Sequence, residues 1–168
     1  MAAPSASRRA ATTPSRFSCP SVTLAESQPA TPEIRAAILE LIGKPIYPYL
    51  ITTTAAGFPY SRPLICINDE FTIRMVTRAK SRKIGHLRRS PHASLLWVDG
   101  QRSVLLQGPV SVLEGDEVIA DFYRRYKLKN PARTRQLAEG IERVILELRP
   151  AFCRADWFAG FTPVVIRF

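Results

Sequence analysis

The sequence has few of the residues from which metal sites, disulfide frameworks and membrane spans are built. Its 168 residues include three cysteines and two histidines. Cys19, Cys66 and Cys153 are scattered and odd in number, which argues against a disulfide framework and predicts reduced thiols in a cytoplasmic protein. Neither His86 nor His92 has a second ligand at metal-binding spacing, so no metal site is expected. No apolar run approaches the ~18 residues that a membrane-spanning helix needs.

Acidic residues are also scarce, with 14 Asp and Glu against 24 Lys and Arg, which gives a formal net charge of +10. An excess of this size suits nucleic acid, an acidic surface or an anionic ligand. The chain has no long basic run of the kind found in nucleic-acid-binding tails. One dense set of cations could still dock nucleic acid or an acidic partner, although a solvated helix face is the simpler explanation: Arg124, Arg125, Lys127, Lys129, Arg133 and Arg135.

Residues 1–30 lack a periodic apolar face and consist largely of Ala, Ser, Thr, Pro and Arg. This composition predicts a disordered tail, which leaves residues 31–168 as one domain. The shortage of acids beside arginines also suits an organelle transit peptide, whereas the apolar core of a secretory signal is missing. A cytoplasmic location is therefore expected, with organelle import as the alternative.

The remaining sequence predicts a mainly β domain with helices at its edges. Thr31 and Pro32 are typical of a helix start and Gly43 of a helix end. Five strands follow within about seventy residues, joined mostly by short turns, which favours a closed antiparallel barrel. Gly108-Pro109 indicates a bulge or barrel corner. The predicted strands cover residues 47–54, 60–67, 71–77, 93–98, 103–113 and 143–148, with extended pieces at 151–158 and 162–168 and helices at 116–129 and 132–140.

The stretch from Phe71 to Arg89 predicts a strand, a basic turn and a short helix, in which Ile84 and Leu87 would face a core. Ser81 occupies the expected N-cap position, where its hydroxyl would accept a first-turn N–H. Arg82 and Lys83 follow in the first turn, where the helix dipole disfavours cations. An anion would resolve this conflict, which makes the turn a candidate phosphate site. The alternative is a basic turn whose side chains extend into water.

Several short motifs across residues 62–113 resemble the flavin-binding split barrel of the pyridoxamine 5′-phosphate oxidase-like family, which includes small general stress protein-like members. They are Arg62-Pro63-Leu64-Ile65, Val76-Thr77, Ser81-Arg82-Lys83, Ser90-Pro91, Trp97 and Gln107-Gly108. The resemblance implies a mainly β (α+β) fold, an antiparallel split β-barrel of six to seven strands with flanking helices. It also implies a homodimer with flavin sites at its interface.

The cofactor implied by this resemblance is FMN. Arg62, Arg82 and Lys83 would then contact its phosphate with help from Ser81. The backbone near the other motif residues would line the ring and ribityl chain, and Ser103 stands where the family often has a flavin-contacting Gln. The implied cofactor-binding residues are Arg62, Pro63, Leu64, Ile65, Val76, Thr77, Ser81, Arg82, Lys83 and Ser103.

The substrate half of the family pattern is absent. Ile67 stands where the oxidase has a substrate-binding Lys, and Trp157 is followed four residues later by Phe161 instead of Arg. Pyridoxamine phosphate oxidation is therefore not expected, and the substrate and catalytic residues stay unassigned. Relatives of the barrel that bind a deazaflavin or haem are alternatives. The candidates for a substrate-side role, for each of which a structural role is the simpler explanation, are Tyr47, Tyr49, Tyr60 and His86.

Overall fold

The computed structural model describes residues 28–131, 141–158, 160 and 162–168. Within this part of the chain there are three helices and ten strands. The predicted helix over residues 132–140 and the tail up to residue 27 lie outside it. The helices are α1 (Pro32–Gly43), α2 (Arg82–Arg89) and α3 (Asp116–Lys129). The strands are β1 (Gln28–Pro29), β2 (Tyr49–Thr53), β3 (Pro59–Pro63), β4 (Cys66–Asp69), β5 (Thr72–Arg78), β6 (His92–Asp99), β7 (Arg102–Leu113), β8 (Arg143–Leu148), β9 (Phe152–Asp156) and β10 (Val164–Arg167).

The strands form one sheet that branches at β7. The first branch has the order β1-β10-β9-β7-β6-β2-β3, and the second runs from β7 through β8 and β5 to β4. All pairs are antiparallel except β1–β10, in which Gln28 lies opposite Val164. Because β1 falls within residues 1–30, the sheet begins inside the segment that was predicted to be disordered. The first branch ends at β3 and the second at β4, and these two edge strands do not pair with each other. We call the gap between them the seam of the split barrel. The antiparallel split barrel with flanking helices is thus confirmed, with short edge strands bringing the number above six to seven. The closed barrel favoured by the strand pattern was wrong, because β3 and β4 do not pair.

The prediction of a single strand over residues 60–67 was wrong, because the chain changes branches there. β3 ends at Pro63, and Leu64 and Ile65 carry the chain across the seam to β4. The Leu64 N–H donates to the carbonyl of Pro48 at 3.0 Å, whereas the carbonyl of Ile65 accepts from the N–H of Val76 at 3.4 Å. The continuous apolar pattern gave no sign that the pairing partner changes between these two residues.

The predicted corner at Gly108-Pro109 is confirmed by the way β7 changes partners. Up to Pro109 the strand pairs with β6, and from Val110 onwards it pairs with β8. At the corner the backbones are so close that a Cβ atom on Gly108 would lie 2.2 Å from the carbonyl oxygen of Arg149. Glycine is therefore required here for space and not for backbone conformation.

Two hydrophobic cores hold the elements together. The larger lies inside the barrel, where Trp97 is fully buried and α1 contributes Ile38 and Leu41. The smaller lies between α3 and the second branch and is built around Phe122 and Ile145. The two cores lie on opposite faces of β5, so both faces of that strand are covered.

No helix in the described residues is long and apolar enough to cross a membrane.

We expect Gly108→Ala to destabilise the protein by about 3 kcal/mol, because the added methyl group overlaps backbone that must move. Urea unfolding followed by circular dichroism measures the change. Gly85→Ala is the matched control, since a Cβ there would meet only the end of the Arg89 side chain at 3.9 Å. That variant should gain about 0.5–1 kcal/mol from higher helix propensity. Equal stability of the two variants would contradict the corner argument.

Candidate functional site

Helix α2 holds two polar side chains against the barrel through its own apolar residues. Ile84 and Leu87 are buried in the main core, which confirms that they face inwards. On the same helix Lys83 lies against β5 and His86 lies against β2. The site therefore depends on the packing of α2 across the seam of the split barrel.

The ammonium group of Lys83 is buried, with 8% of the residue exposed. Its Nζ donates a hydrogen bond to Oγ1 of Thr77 on β5 at 2.6 Å, and Oγ of Ser81 lies 3.4 Å from the same oxygen. Ser81 stands at the N-cap position but makes no side-chain capping bond, so that prediction was wrong. Its hydroxyl turns towards Thr77, which leaves the positive end of α2 without a side-chain cap.

A second group of contacts surrounds Arg62 at the end of β3. Its Nη2 donates to Oγ1 of Thr52 at 2.8 Å and to the carbonyl of Tyr60 at 3.3 Å. Its guanidinium lies 4.1 Å from the centre of the Tyr60 ring. The Thr52 hydroxyl also lies 2.9 Å from Nδ1 of His86. Arg62 Nε is buried and has no partner among the described residues.

These two groups form one cationic cluster. Burial, followed by the charges of Arg62 and Arg78, lowers the pKa of Lys83 to about 8. Burial also lowers the pKa of Arg62. In the described part of the chain, none of the ion pairs formed by acidic residues involves Arg62, Arg78, Arg82 or Lys83. The cluster therefore holds positive charge that no described carboxylate offsets.

The structure brings most of the sequence-predicted cofactor residues to this seam. Thr77, Ser81 and Lys83 are in contact, and Arg62 is close enough to Lys83 to lower its pKa. The crossing consists of Leu64 and Ile65, directly after Pro63 at the end of β3, and the Ile65 carbonyl accepts a hydrogen bond from the N–H of Val76. Arg82 is exposed in the first turn of α2. Ser103 lies elsewhere, on β7, where its hydroxyl donates to Asp156 at 3.2 Å.

Sequence reasoning missed Thr52 and treated His86 as one of several substrate-side candidates. Thr52 is 2% exposed and shares the inward face of β2 with Leu50. A hydroxyl on the buried face of a strand needs a hydrogen-bond partner, and this pattern is visible in the sequence. The identity of the partner is not visible, because His86 is 34 residues away.

The chemistry that this cluster offers is the binding of an anion. Charge-assisted hydrogen bonds from buried cations to an anion contribute about 1.5–3 kcal/mol each. The burial of Lys83 rules out, for that residue, the alternative of a cation extended into water. The dipole of α2 adds positive potential at the same place. A ligand with more than one negative charge fits best, since several cations converge here.

The basic residues of α3 offer much less free charge. Arg124 pairs with Asp121, and Arg125 pairs with Asp69 at 3.2 Å. Lys129 donates to the backbone and the side chain of Asn68. Arg133 and Arg135 of the same predicted set lie outside the described residues. The contacts of α3 therefore favour a helix face that is neutralised within the domain over a nucleic-acid interface.

Comparison with known proteins agrees with the fold. A family model described as Pyridoxamine 5′-phosphate oxidase matches residues 34–155. No curated protein matches the chain.

Three solved structures show the likeness in detail. A pyridoxamine 5′-phosphate oxidase-related, FMN binding protein from Nostoc punctiforme has a TM-score of 0.54 and 16% identity, with 81% of this chain and 90% of that chain covered. An F420 reductase has a TM-score of 0.59 and 20% identity, covering 68% and 93%. A heme binding protein from Mycobacterium smegmatis has a TM-score of 0.63 and 16% identity, covering 82% and 59%. At identities this low, the structural likeness shows a shared fold alone.

We expect Lys83→Met to stabilise the ligand-free protein at pH 7 by about 1–2 kcal/mol, because it removes a charge buried beside other cations. The pKa of Lys83 falls from 10.5 to about 8 on folding. Wild-type stability therefore rises with pH between these two values, and the advantage of the variant should shrink across that window. Chemical unfolding from pH 6 to 10.5 measures this difference.

Lys80→Met is the control, since Lys80 is exposed in the turn before α2. It should change the free energy of unfolding by less than about 0.5 kcal/mol at any of these pH values. A Lys83→Met protein that is less stable than wild type at pH 7 would contradict the assignment of Lys83 as an uncompensated buried cation.

Proposed function

The chain belongs to the pyridoxamine 5′-phosphate oxidase family, and on this premise we propose that it is an FMN-dependent oxidoreductase acting on another substrate. The observation that carries the proposal is a pair of cations, the buried Lys83 and the half-buried Arg62, that no acidic residue in the described part of the chain neutralises. FMN has a dianionic phosphate, which supplies the charge that this pair requires. The Nostoc relative, which is an FMN binding protein, supports the same cofactor.

The residues at the seam suit the two parts of FMN. Lys83, Arg62 and the start of α2 would hold the phosphate, with Arg82 and the Ser81 hydroxyl beside them. Leu64 and Ile65 are half-buried, and the Ile65 carbonyl accepts from the N–H of Val76 on β5. This apolar crossing would carry the ring with backbone groups near its polar edge. The flavin supplies the redox chemistry when bound, and the chain binds, orients and shields it.

The substrate is proposed to differ from that of the oxidase because the position of its substrate lysine is lost. Ile67 stands there and is 4% exposed, packed in the small core under α3. An apolar side chain turned into a core cannot bind a substrate phosphate. Tyr60 and His86 lie at the edge of the cation cluster, where they could contact a substrate.

We also propose that the protein is a homodimer joined through the outer face of the first branch. Tyr49 on β2, Leu96 on β6 and Leu105 on β7 lie side by side in register on that face. Tyr49 is 48% exposed and the two leucines are half-buried. Val98 adds a further exposed apolar group on the same face. A second copy would cover this apolar stripe.

Ser103 belongs to the same outer face as Leu105, since the two alternate with the buried Val104. A residue on this face could reach the flavin of the partner subunit even though it lies away from its own cation cluster. The dimer proposal therefore accounts for the one implied cofactor residue that the structure places apart from the others.

The cofactor proposal is tested by the absorption spectrum of the purified protein before and after FMN is added and the excess removed. We expect retained flavin bands, and Arg82→Ala combined with Lys83→Ala should weaken FMN binding at least about tenfold, because two phosphate contacts are lost. A Soret band would favour haem. A colourless protein that rejects FMN but takes up F420 would favour a deazaflavin.

The control for the double variant is Arg124→Ala combined with Lys127→Ala. Both positions are exposed on α3, and the change in net charge is the same. FMN affinity should stay within about twofold of wild type, since any remaining effect would come only from screened, long-range charge. Equal loss of affinity in the two double variants would assign the effect to net charge and remove the α2 cations from the site.

The dimer proposal is tested by sedimentation with Leu105→Arg. A charge in the middle of the apolar stripe should convert a dimer into a monomer, because a desolvated, unpaired cation disfavours association. Leu128→Arg is the matched control, since Leu128 is 77% exposed on α3 and lies off the stripe. A wild-type monomer, or dissociation by both variants, would contradict the assigned face.

A further inference from the structure

His86, Thr52 and Arg62 form a chain of hydrogen bonds from α2 across β2 to β3. Nδ1 of His86 lies 2.9 Å from Oγ1 of Thr52, and Nη2 of Arg62 lies 2.8 Å from the same oxygen. Thr52 is 2% exposed, so water does not serve its hydroxyl. The hydroxyl must therefore satisfy its bonding within the protein.

The direction of each bond follows from the chemistry of the groups. A guanidinium has only N–H donors, so the Arg62 bond uses a lone pair of Thr52 Oγ1. The hydroxyl proton of Thr52 then needs an acceptor, and the acceptor that the described residues provide is Nδ1 of His86. Nδ1 accepts only in the neutral imidazole that carries its proton on Nε2. If Nδ1 carried a proton, both Nδ1 and Arg62 would donate to the Thr52 oxygen. The buried hydroxyl proton of Thr52 would then have no acceptor.

We propose that neutral His86 is a positioning residue of the anion site, which fixes the Thr52 hydroxyl and through it the guanidinium of Arg62. The proposal rests on the proposed function in one respect, namely that Arg62 contacts the bound phosphate. Without the hydrogen bonds from His86 through Thr52, the described contacts that would hold the Arg62 guanidinium are the Tyr60 carbonyl at 3.3 Å and the face of the Tyr60 ring. Neither contact fixes the plane of the guanidinium as firmly as a short bond to a buried hydroxyl.

The charges around His86 agree with a neutral ring. Arg62 faces it from β3, and Arg82 and Arg89 approach it along its own helix, while β2 contributes the uncharged Thr52. Burial and then these three charges lower the pKa of His86. The Tyr60 ring meets the imidazole edge to face at 5.9 Å. No carboxylate of the described residues pairs with the ring to favour the imidazolium.

The first arm of the test uses the free protein and needs no ligand. The nitrogen-15 shifts of the imidazole report its tautomer, and His92→Asn leaves His86 as the sole histidine signal. At pH 7.5 we expect a neutral ring with its proton on Nε2, and Thr52→Val should abolish that preference. An imidazolium, or a proton on Nδ1, would overturn the proposal.

The second arm measures FMN affinity in a double-mutant cycle. His86→Leu and Thr52→Val should each weaken binding about tenfold, and the combined variant should also lose about tenfold, because both break one chain. His86→Asn should stay within about threefold of wild type, since its amide oxygen can accept in the place of Nδ1. His92→Leu, at an exposed residue of β6, is the control and should bind as wild type does.

Three outcomes of this cycle overturn the proposal: wild-type affinity in His86→Leu, a hundredfold loss in the combined variant, or no rescue by His86→Asn. Melting temperatures of the free variants identify any that fail to fold, and His86→Asn serves as the second variant in that case. The same series is titrated with inorganic phosphate. If FMN is rejected but phosphate affinity follows the expected pattern, the proposed function fails and the positioning role stands. If phosphate is rejected as well, both fail.

Discussion

The buried ammonium of Lys83 is the constraint on which the rest of the site depends. A cation removed from water beside other cations is unfavourable by several kcal/mol unless an anion offsets it. The fold keeps the ammonium in place because Ile84 and Leu87 anchor α2 to the main core. Thr77 gives the ammonium one short hydrogen bond, which is less than its three donors require. Such a violation of local rules is typical of a functional place.

The split in the barrel explains why the cations meet where they do. A barrel closed between β3 and β4 would pair the backbone of these strands and leave no place for a ligand at the crossing. Because the chain instead crosses between the branches at Leu64 and Ile65, Arg62 ends one branch beside α2 and Val76 of the other branch lies next to the crossing. The corner at Gly108 gives β7 its change of direction, so that it can serve both branches. The fold and the site thus share one geometric cause.

Sequence signals succeeded where the physics is local. The cap at Thr31 and the apolar face of α2 each depend on neighbouring residues, and both were predicted. The corner at Gly108 was predicted from its Gly-Pro pair, although its physical cause is the close approach of the distant Arg149 backbone. The division of residues 60–67 was missed, because the choice of pairing partner is a tertiary property. The predicted capping bond of Ser81 was wrong for the same reason, since its hydroxyl lies against the Thr77 hydroxyl on β5 and not against the first turn of α2. The resemblance supplied the implied cofactor residues, and the structure brings all but Ser103 to one seam.

The fold by itself does not select a cofactor, since FMN binding, heme binding and F420 reductase proteins all share it at 16–20% identity. The charges at the seam are more selective. A haem iron needs an axial ligand, and the Nδ1 atom of His86 is already engaged by Thr52. Its remaining nitrogen belongs to a ring near Arg62, Arg82 and Arg89, where a metal cation is repelled and an anion is attracted. A phosphate dianion gains from every one of these groups, and this electrostatic preference, more than the barrel itself, favours FMN.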